Sequence, residues 1–392
     1  MRILVLANAM TTLSGGDKRF VEIFRRFRKQ GHFVKIMLPR LGYKICKNEN
    51  LDVSYQVLPD FALGRSGTVL SNFLRSLFSC IFIFRNFGRF DVVYSSSDFV
   101  NDTFPAFFLR LAGKRIRWVS VTHYLIPEPR KRDGNFLVNF VAFFTQRISI
   151  NTMGRFSDLL ITSSMYLKLQ LASLGVLPSK IQVGSNGVDT KLVDRIRSNP
   201  SRHYDACFAA RLHPSKGVFD VIDVWELVCK KKTDAKLVMV GYGTKTMINE
   251  LRNRIEQKGL SENVELVGFR KSTGVYELMK QSKLFLYADT ENGWGIAIAE
   301  AMASKCVVVA YDLPVYKEVF SDAISYVPLR NINKYAEVIL NLLNNEKLVR
   351  EMAERSRIFV SKYDWDRIAL GELRNINNVI THVIDSPILS LK

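Results

Sequence analysis

Short apolar, β-branched runs alternate with longer amphipathic stretches along almost all of this chain, and few folds accommodate that alternation. A strand buried on both faces reads as a near-continuous run of Val, Ile and Leu, and its parallel neighbour is reached through a crossover helix, so the pattern predicts βα units and parallel sheets. In the first half strands are expected at Ile3–Ala7, Phe33–Leu38, Val92–Ser95, Trp118–Thr122, Leu159–Thr162 and Ile181–Val183. In the second they fall at Ala206–Ala210, Leu237–Val240, Val264–Val267, Leu284–Tyr287, Val307–Ala310 and Ile324–Val327. Between the first two, Lys18–Gln30 sets Phe20, Phe24 and Phe27 on one helical face, and Gly31 follows as a stop. The strand–loop–helix order restarts after the polar, Pro-containing stretch Ser198–Tyr204. For 392 residues this means two successive αβα domains, at 1–197 and 205–364, joined by a linker at 198–204. A last helix begins at Trp365, and residues 365–392 are expected to return toward the N-terminal domain.

Charge divides unevenly between the halves. The chain has 56 Lys and Arg against 37 Asp and Glu, a net +19; residues 1–200 hold 29 basic and 13 acidic residues, whereas residues 201–392 hold 27 and 24. An excess of that sign in one half calls for an anionic partner such as nucleic acid, phosphate or a membrane surface. Five scattered cysteines without C-x-x-C spacing suggest neither a disulfide framework nor a structural zinc site, and a reducing cytosol is the expected setting. The opening MRILVLANAM reads as a buried strand rather than a signal peptide. The longest uncharged runs, between Arg75 and Arg85 and between Asp133 and Arg147, fall short of the roughly 20 apolar residues of a spanning helix.

Three loops at strand ends carry the chemistry. Gly15-Gly16 sits where the first strand meets a helix; adjacent glycines and a helix N-terminus admit a phosphate, although such a pair is more often only a turn. The loop Ala210-Arg211-Leu212-His213-Pro214-Ser215-Lys216-Gly217 presents two cations that could reach a diphosphate, or stand as solvated surface charges. The run Asp289-Thr290-Glu291-Asn292-Gly293-Trp294-Gly295-Ile296 opens an apolar helix containing Glu300, and a lone carboxylate there is costly to bury without partners, which favours a ligand-side role.

In this order and spacing, the pieces resemble family 4 of the retaining glycosyltransferases. They are Gly15-Gly16, His123 after the strand WVSVT, Asn186-Gly187-Val188-Asp189, Arg211 with Lys216-Gly217, Gly241-Tyr242-Gly243, Val267-Gly268-Phe269, and Gly295-Ile296 through Glu300-Ala301-Met302-Ala303. The resemblance implies the α/β GT-B fold, two Rossmann-like αβα domains facing each other across a cleft, and transfer of a sugar from a nucleotide-diphosphate sugar to a glycan or lipid-linked acceptor with retention. It also implies roles. Gly15 and Gly16 would touch the donor diphosphate, Arg211 and Lys216 would neutralise it, and His123 would sit near the transferred sugar. Glu300 would hold the ribose, Phe269, Arg270 and Lys271 would meet the base, and Glu291, Asn292, Gly293, Trp294, Gly295 and Ile296 would line the donor. We read no Asp-x-Asp metal signature, and expect no metal and no cofactor beyond the donor itself.

Two positions depart from the family pattern. Counting back from Glu300, the first carboxylate of its paired-glutamate motif lands on Asn292, with Glu291 one place off, and Lys305 stands where Gly usually ends the helix. Two aromatic-rich stretches, Phe73–Phe90 and Phe136–Phe144, have Arg75, Arg85, Arg89, Arg115, Arg117, Arg130, Lys131, Arg132 and Arg147 among and around them. Apolar faces flanked by cations suit an anionic interface, and equally the core helices of a basic domain; for much of Phe73–Phe90 the core reading is preferred. The expectation is a cytoplasmic enzyme, peripheral on the membrane's cytoplasmic face. The alternatives are a nucleotide-sugar epimerase of the same fold or a sugar-nucleotide-binding protein with little activity; no nucleic-acid-binding motif accompanies the charge.

Overall fold

A computed structural model describes residues 1–59, 68–86, 88–112, 116–132, 135–197, 203–291 and 293–381 of the protein. Two compact units divide it: Met1–Asn186 with the described residues from Trp365 onward, and Gly187–Asp364. The change of unit falls between Asn186 and Gly187, ahead of the 198–204 stretch, of which residues 198–202 lie outside the described ones, as does Arg115.

The first unit runs β1 (Arg2–Leu6), α1 (Gly15–Lys29), β2 (Phe33–Pro39), α2 (Arg40–Asn48), β3 (Ser54–Leu58), α3 (Thr68–Arg85), β4 (Val92–Ser95), α4 (Val100–Leu111), β5 (Arg117–Thr122), α5 (Phe136–Phe156), β6 (Leu159–Thr162), α6 (Met165–Ser173) and β7 (Ile181–Val183). Among the described residues these strands form one parallel sheet ordered β3-β2-β1-β4-β5-β6-β7, in which Leu4 lies opposite Lys35 on one side and Val93 on the other. Strand order reverses between β1 and β4, and the crevice outside the carboxyl ends at such a reversal is where open α/β sheets take ligands. Leu4, Leu6, Val93, Trp118 and Leu160 fill the core, each buried aliphatic contributing about 1.5–3 kcal/mol. The sequence reading missed β3, and the reason is its place at the sheet edge: Ser54–Leu58 is only partly buried, so it shows no continuous apolar run.

The second unit follows as α7 (Thr190–Arg195), β8 (Tyr204–Ala209), α8 (Val218–Cys229), β9 (Leu237–Val240), α9 (Lys245–Gln257), β10 (Val264–Gly268), α10 (Ser272–Lys280), β11 (Ser282–Tyr287), α11 (Ile296–Ala303), β12 (Val307–Tyr311), α12 (Pro314–Phe320), β13 (Ser325–Val327), α13 (Ile332–Leu343) and α14 (Glu346–Val360). Its strands pair in parallel in the order β10-β9-β8-β11-β12-β13, with the reversal between β8 and β11. Phe208, Trp225, Met239, Leu286 and Val309 belong to its own core. Both units are Rossmann-like, as the sequence implied.

A last helix, α15 (Trp365–Thr381), packs on α1 and so completes the first unit. Its Glu372 reaches a fully buried cluster: Arg19 of α1 donates through Nη2 to Glu372 Oε2 and through Nη1 to the Tyr94 hydroxyl (2.9 Å), and that hydroxyl donates to Glu372 Oε1 (2.6 Å). Arg26 of α1 binds Asp366 at 2.6 Å. Asp364-Trp365-Asp366 has the Asp-x-Asp spacing that the sequence reading passed over, but both carboxylates are engaged, Asp364 accepting from Thr190 (2.8 Å) and Asp366 from Arg26. Among the described residues no group of three His, Cys, Asp or Glu side chains could hold a metal ion, and no helix is long and apolar enough to cross a membrane.

One expectation holds only in part. Core is expected for much of Phe73–Phe90, and Ile83 with Phe82 and Phe90 does pack into the first unit's core, yet among the described side chains of α3 Leu77, Phe78, Ile81 and Phe84 are all exposed. The stretch is amphipathic in a way that charge does not mark, because apolar residues occupy the outer face too.

Candidate functional site

At the reversal point of the first sheet, β1 hands the chain to a loop that ends in α1. Ser14 caps that helix: its Oγ accepts from the Asp17 amide (3.3 Å), and the Asp17 carboxylate accepts from the Ser14 amide (2.9 Å), a reciprocal capping box. Gly15 and Gly16 form the first turn, and a Cβ at Gly16 would lie 2.7 Å from Cδ2 and Nε2 of His123, so only glycine lets the helix start pack on that ring.

His123 follows β5. Its Nε2 hydrogen donates to the Ser96 carbonyl at the end of β4 (2.9 Å), and its own carbonyl accepts from Ser163 (3.2 Å). Burial first, then the charge of Arg19, pushes the imidazole down to about 4 against the pull of the Ser96 carbonyl. At neutral pH the ring is uncharged with Nε2 protonated, which leaves Nδ1 as a hydrogen-bond acceptor for a hydroxyl.

Two carboxyls that the sequence reading did not select stand at the same strand ends. Asp98 accepts from Gln146 (3.0 Å), and Asp102 accepts from the Asn8 amide (2.6 Å) and the Ser97 hydroxyl (2.5 Å). Burial raises each to about 7, opposed by those hydrogen bonds. Asn8 Oδ1 is buried there without a partner. Sequence spacing gives no sign of these groups, since they converge from the loops after β1 and β4 and from α4 and α5 only in the folded chain.

In the second unit, the loop after β8 carries Arg211, which is exposed, and a 3-10 turn at Pro214–Lys216. Gly217 ends that turn at φ +68°, and a Cβ there would collide with the Ala288 carbonyl after β11, so the backbone approach requires glycine. Thr290 ties the two loops together, its amide (3.1 Å) and hydroxyl (3.2 Å) both donating to the Ser215 carbonyl. Lys216 is not a free surface cation: its Nζ lies 2.5 Å from Asp289 Oδ2. Asp289 is almost wholly buried; burial raises its carboxyl, the Lys216 charge lowers it, and it also accepts from the Tyr287 hydroxyl and the Glu291 amide. Asp289 thus fixes where the Lys216 ammonium stands, and nothing in the sequence paired the two.

The remaining candidates separate by burial. Phe269 and Arg270, after β10, are exposed, with Arg270 Nη1 donating to the Phe269 carbonyl (3.1 Å), and Lys271 follows as the N-cap of α10. Gly293 has open space around it, and Gly295 caps α11 before Ile296. Glu291 is half-buried, its carbonyl accepting from Tyr316 (3.2 Å), while Asn292 lies outside the described residues. Trp294 turns inward, edge-on to Phe320 and Tyr363, and serves as a wedge beneath the loop. Glu300 is buried and its Oε1 accepts from the Tyr276 hydroxyl (2.9 Å), so it has the protein partner that the sequence reading set against a ligand role. In each unit the candidates lie at the carboxyl ends of parallel strands, where a sheet of this kind presents its binding residues.

Two family models match consecutive parts of the chain. Residues 13–192 match the model described as Glycosyltransferase Family 4, and residues 191–359 match Glycosyl transferases group 1. The chain belongs to glycosyltransferase family 4. Among curated relatives, this family 4 chain is 31% identical over 163 residues to a poly(ribitol-phosphate) alpha-N-acetylglucosaminyltransferase of Staphylococcus aureus, covering 41% of this chain and 32% of that protein. It is 26% identical over 199 residues to a GDP-mannose:cellobiosyl-diphosphopolyprenol alpha-mannosyltransferase of Xanthomonas oryzae, covering 49% of this chain and 51% of that protein. The match therefore spans a third to a half of these relatives' length. Among solved structures, Anabaena HepE in complex with UDP and glucose superposes with a TM-score of 0.76 at 18% identity, covering 96% of this chain and 100% of that one, a likeness of fold.

Proposed function

We propose that this protein transfers a hexosyl group from a nucleotide-diphosphate sugar to a hydroxyl of a glycan or lipid-linked acceptor, with retention of configuration and without a metal ion. The observation that carries the reading is the Lys216–Asp289 pair at the reversal point of the second sheet, beside exposed Arg211. A lysine held by a buried carboxylate is a preorganised cation. It stabilises the charge that grows on a departing diphosphate without reorganising as the bond breaks. The bond from the anomeric carbon to the diphosphate oxygen breaks, the acceptor oxygen bonds to that carbon on the same face, and the acceptor proton passes to the departing phosphate oxygen. In the first unit, neutral His123 accepts a hydrogen bond from a sugar hydroxyl through Nδ1, and Gly16 keeps the helix start close to it.

The relatives' names supply the acceptor class. One acts on poly(ribitol-phosphate) and the other on a diphosphopolyprenol; both acceptors are anionic, which accords with the excess of positive charge in residues 1–200. A polyprenol-linked acceptor is held in a bilayer, so peripheral attachment to the cytoplasmic membrane face belongs to the same reading. Thermal unfolding with UDP, GDP and their sugars tests donor binding. A ligand at one hundred times its Kd raises stability by about 2.7 kcal/mol, and no response to any nucleotide would remove the proposal. A second reading, a sugar-nucleotide-binding protein with little transfer, rests on Asn292 at the first motif carboxylate. Release of labelled sugar from the donor that binds decides against it.

A further inference from the structure

Three helices of the first unit, packed in series, leave apolar faces that no described part of the chain covers. α3 packs on α4 and α4 on α5. On α3, Leu77, Phe78, Ile81 and Phe84 recur at helical spacing with 41–48% of their surface exposed. On α5 the stripe Leu137, Phe140, Val141, Phe144 and Ile148 is likewise open, reaching 68% at Leu137, and Leu111 of α4 is exposed as well. A contiguous apolar surface rimmed by charge marks an interaction site.

The rim is predominantly basic. α3 and α5 carry Arg75, Arg85, Arg147 and Arg155 and no Asp or Glu, and the turn before α5 adds Arg130, Lys131 and Arg132, with Glu128 paired to Lys131 at 2.9 Å. The first eleven residues of α5, Phe136–Gln146, hold no charge at all. We propose that this face lies in the interface of an anionic bilayer, with the first half of α5 and the outer stripe of α3 among the acyl chains and the arginines at headgroup level. Uncharged aromatic stripes bounded mainly by cations fit a lipid surface of negative potential, because buried apolar area and headgroup attraction add.

Topology gives the face a direction. β5 delivers His123 to the carboxyl edge of its sheet, and α5 starts from that edge and runs back, packed on the turn Pro129–Lys131. The most exposed apolar residues of α5 and the basic turn therefore lie toward the edge where His123 stands. An acceptor whose lipid tail is in the bilayer presents its phosphate beside Arg130–Arg132. This deepens the reading of a lipid-linked acceptor and rests on it.

The test is vesicle flotation of the full chain with phosphatidylcholine alone and with added phosphatidylglycerol, alongside thermal unfolding with and without UDP and GDP. The wild-type protein should float with the phosphatidylglycerol vesicles only, and lose that binding in high salt. Phe140→Asp and Phe78→Asp should each weaken flotation by roughly tenfold or more, since a carboxylate is placed in the apolar layer, while the nucleotide response stays unchanged. Should an Asp variant fail to fold, Leu137→Gln at an equally open position gives the same comparison. Wild-type protein that ignores anionic vesicles while responding to nucleotide overturns the membrane face and spares the donor site. Flotation untouched by the three substitutions overturns it too, as does concentration-dependent self-association abolished by Phe140→Asp in place of vesicle binding.

Discussion

Lys216 and Asp289 illustrate how a single residue's role is set by its partner. From sequence, Lys216→Ala is expected to remove only a cation and leave the fold intact. In the structure it also strands a buried carboxylate, which costs about 3 kcal/mol or more when a buried ion pair is broken from one side. The expected outcome is a loss of both stability and turnover in Lys216→Ala. The double variant Lys216→Ala with Asp289→Asn should recover most of the stability and none of the turnover, read by urea unfolding and by transfer rate. A pH effect belongs to the same scale. Unfolded carboxyls ionise near 4, whereas Asp98 and Asp102 keep their protons to about 7, so between those values the folded state binds more protons and their contribution to stability falls as pH rises. His123 acts oppositely, since its folded value of about 4 lies below the unfolded one near 6.5 and its contribution grows with rising pH over that window. Two groups outweigh one. Asp98→Asn should therefore be more stable relative to wild type at pH 8 than at pH 5, and an equal difference at both would show that Asp98 is ionised throughout.

Among elements, α15 carries a buried partner that the sequence does not reveal. Its Glu372 neutralises Arg19, one helical turn from Gly16 on the helix whose start holds His123 in place. Glu372→Gln leaves the buried guanidinium without a counter-charge, at an expected cost of about 3–5 kcal/mol in the unfolding of the first unit. Pairing Arg19→Met with Glu372→Leu should restore much of it, and an undiminished stability in Glu372→Gln would mean that the cluster is not what binds α15. Buried strands were legible because their chemistry is local: Val92–Ser95, Leu159–Thr162 and Leu237–Val240 fall where their apolar runs put them. The edge strand β3 and the exposed stripe of α3 were not, because what faces a residue across a sheet or a solvent boundary is not written in its neighbours in sequence. Lys305 shows the middle case. Its φ of +58° is the left-handed geometry for which a helix end prefers glycine, so the departure seen in sequence is a backbone strain in the structure, accompanied by an ion pair to Glu354 at 2.6 Å.

For the whole molecule, two compact units, each with its own buried residues and its own reversal point, imply two energetic bodies. Calorimetry is expected to resolve two transitions, and a nucleotide diphosphate should raise the one belonging to Gly187–Asp364, where Lys216 and Arg211 stand, more than the other. A single transition shifted as a whole would show instead that the units unfold together. Most strand positions and the candidate loops of both units could be read from sequence, because βα alternation is a periodic feature, whereas strand order in each sheet came only from the structure. The Lys216–Asp289 and Arg19–Glu372 pairs could not, since each joins residues that only the folded chain brings together.

That the first unit is closed by α15 also fixes an order of events during synthesis. A ribosome releases the Met1–Asn186 segment early, but Arg19 waits for its carboxylate until the entire second unit has been made. The later-born unit can therefore finish first, reversing the N-terminal-first order usual for tandem domains. Throughout that interval the nascent chain carries a guanidinium without its counter-charge and a flank of α1 that α15 has yet to cover.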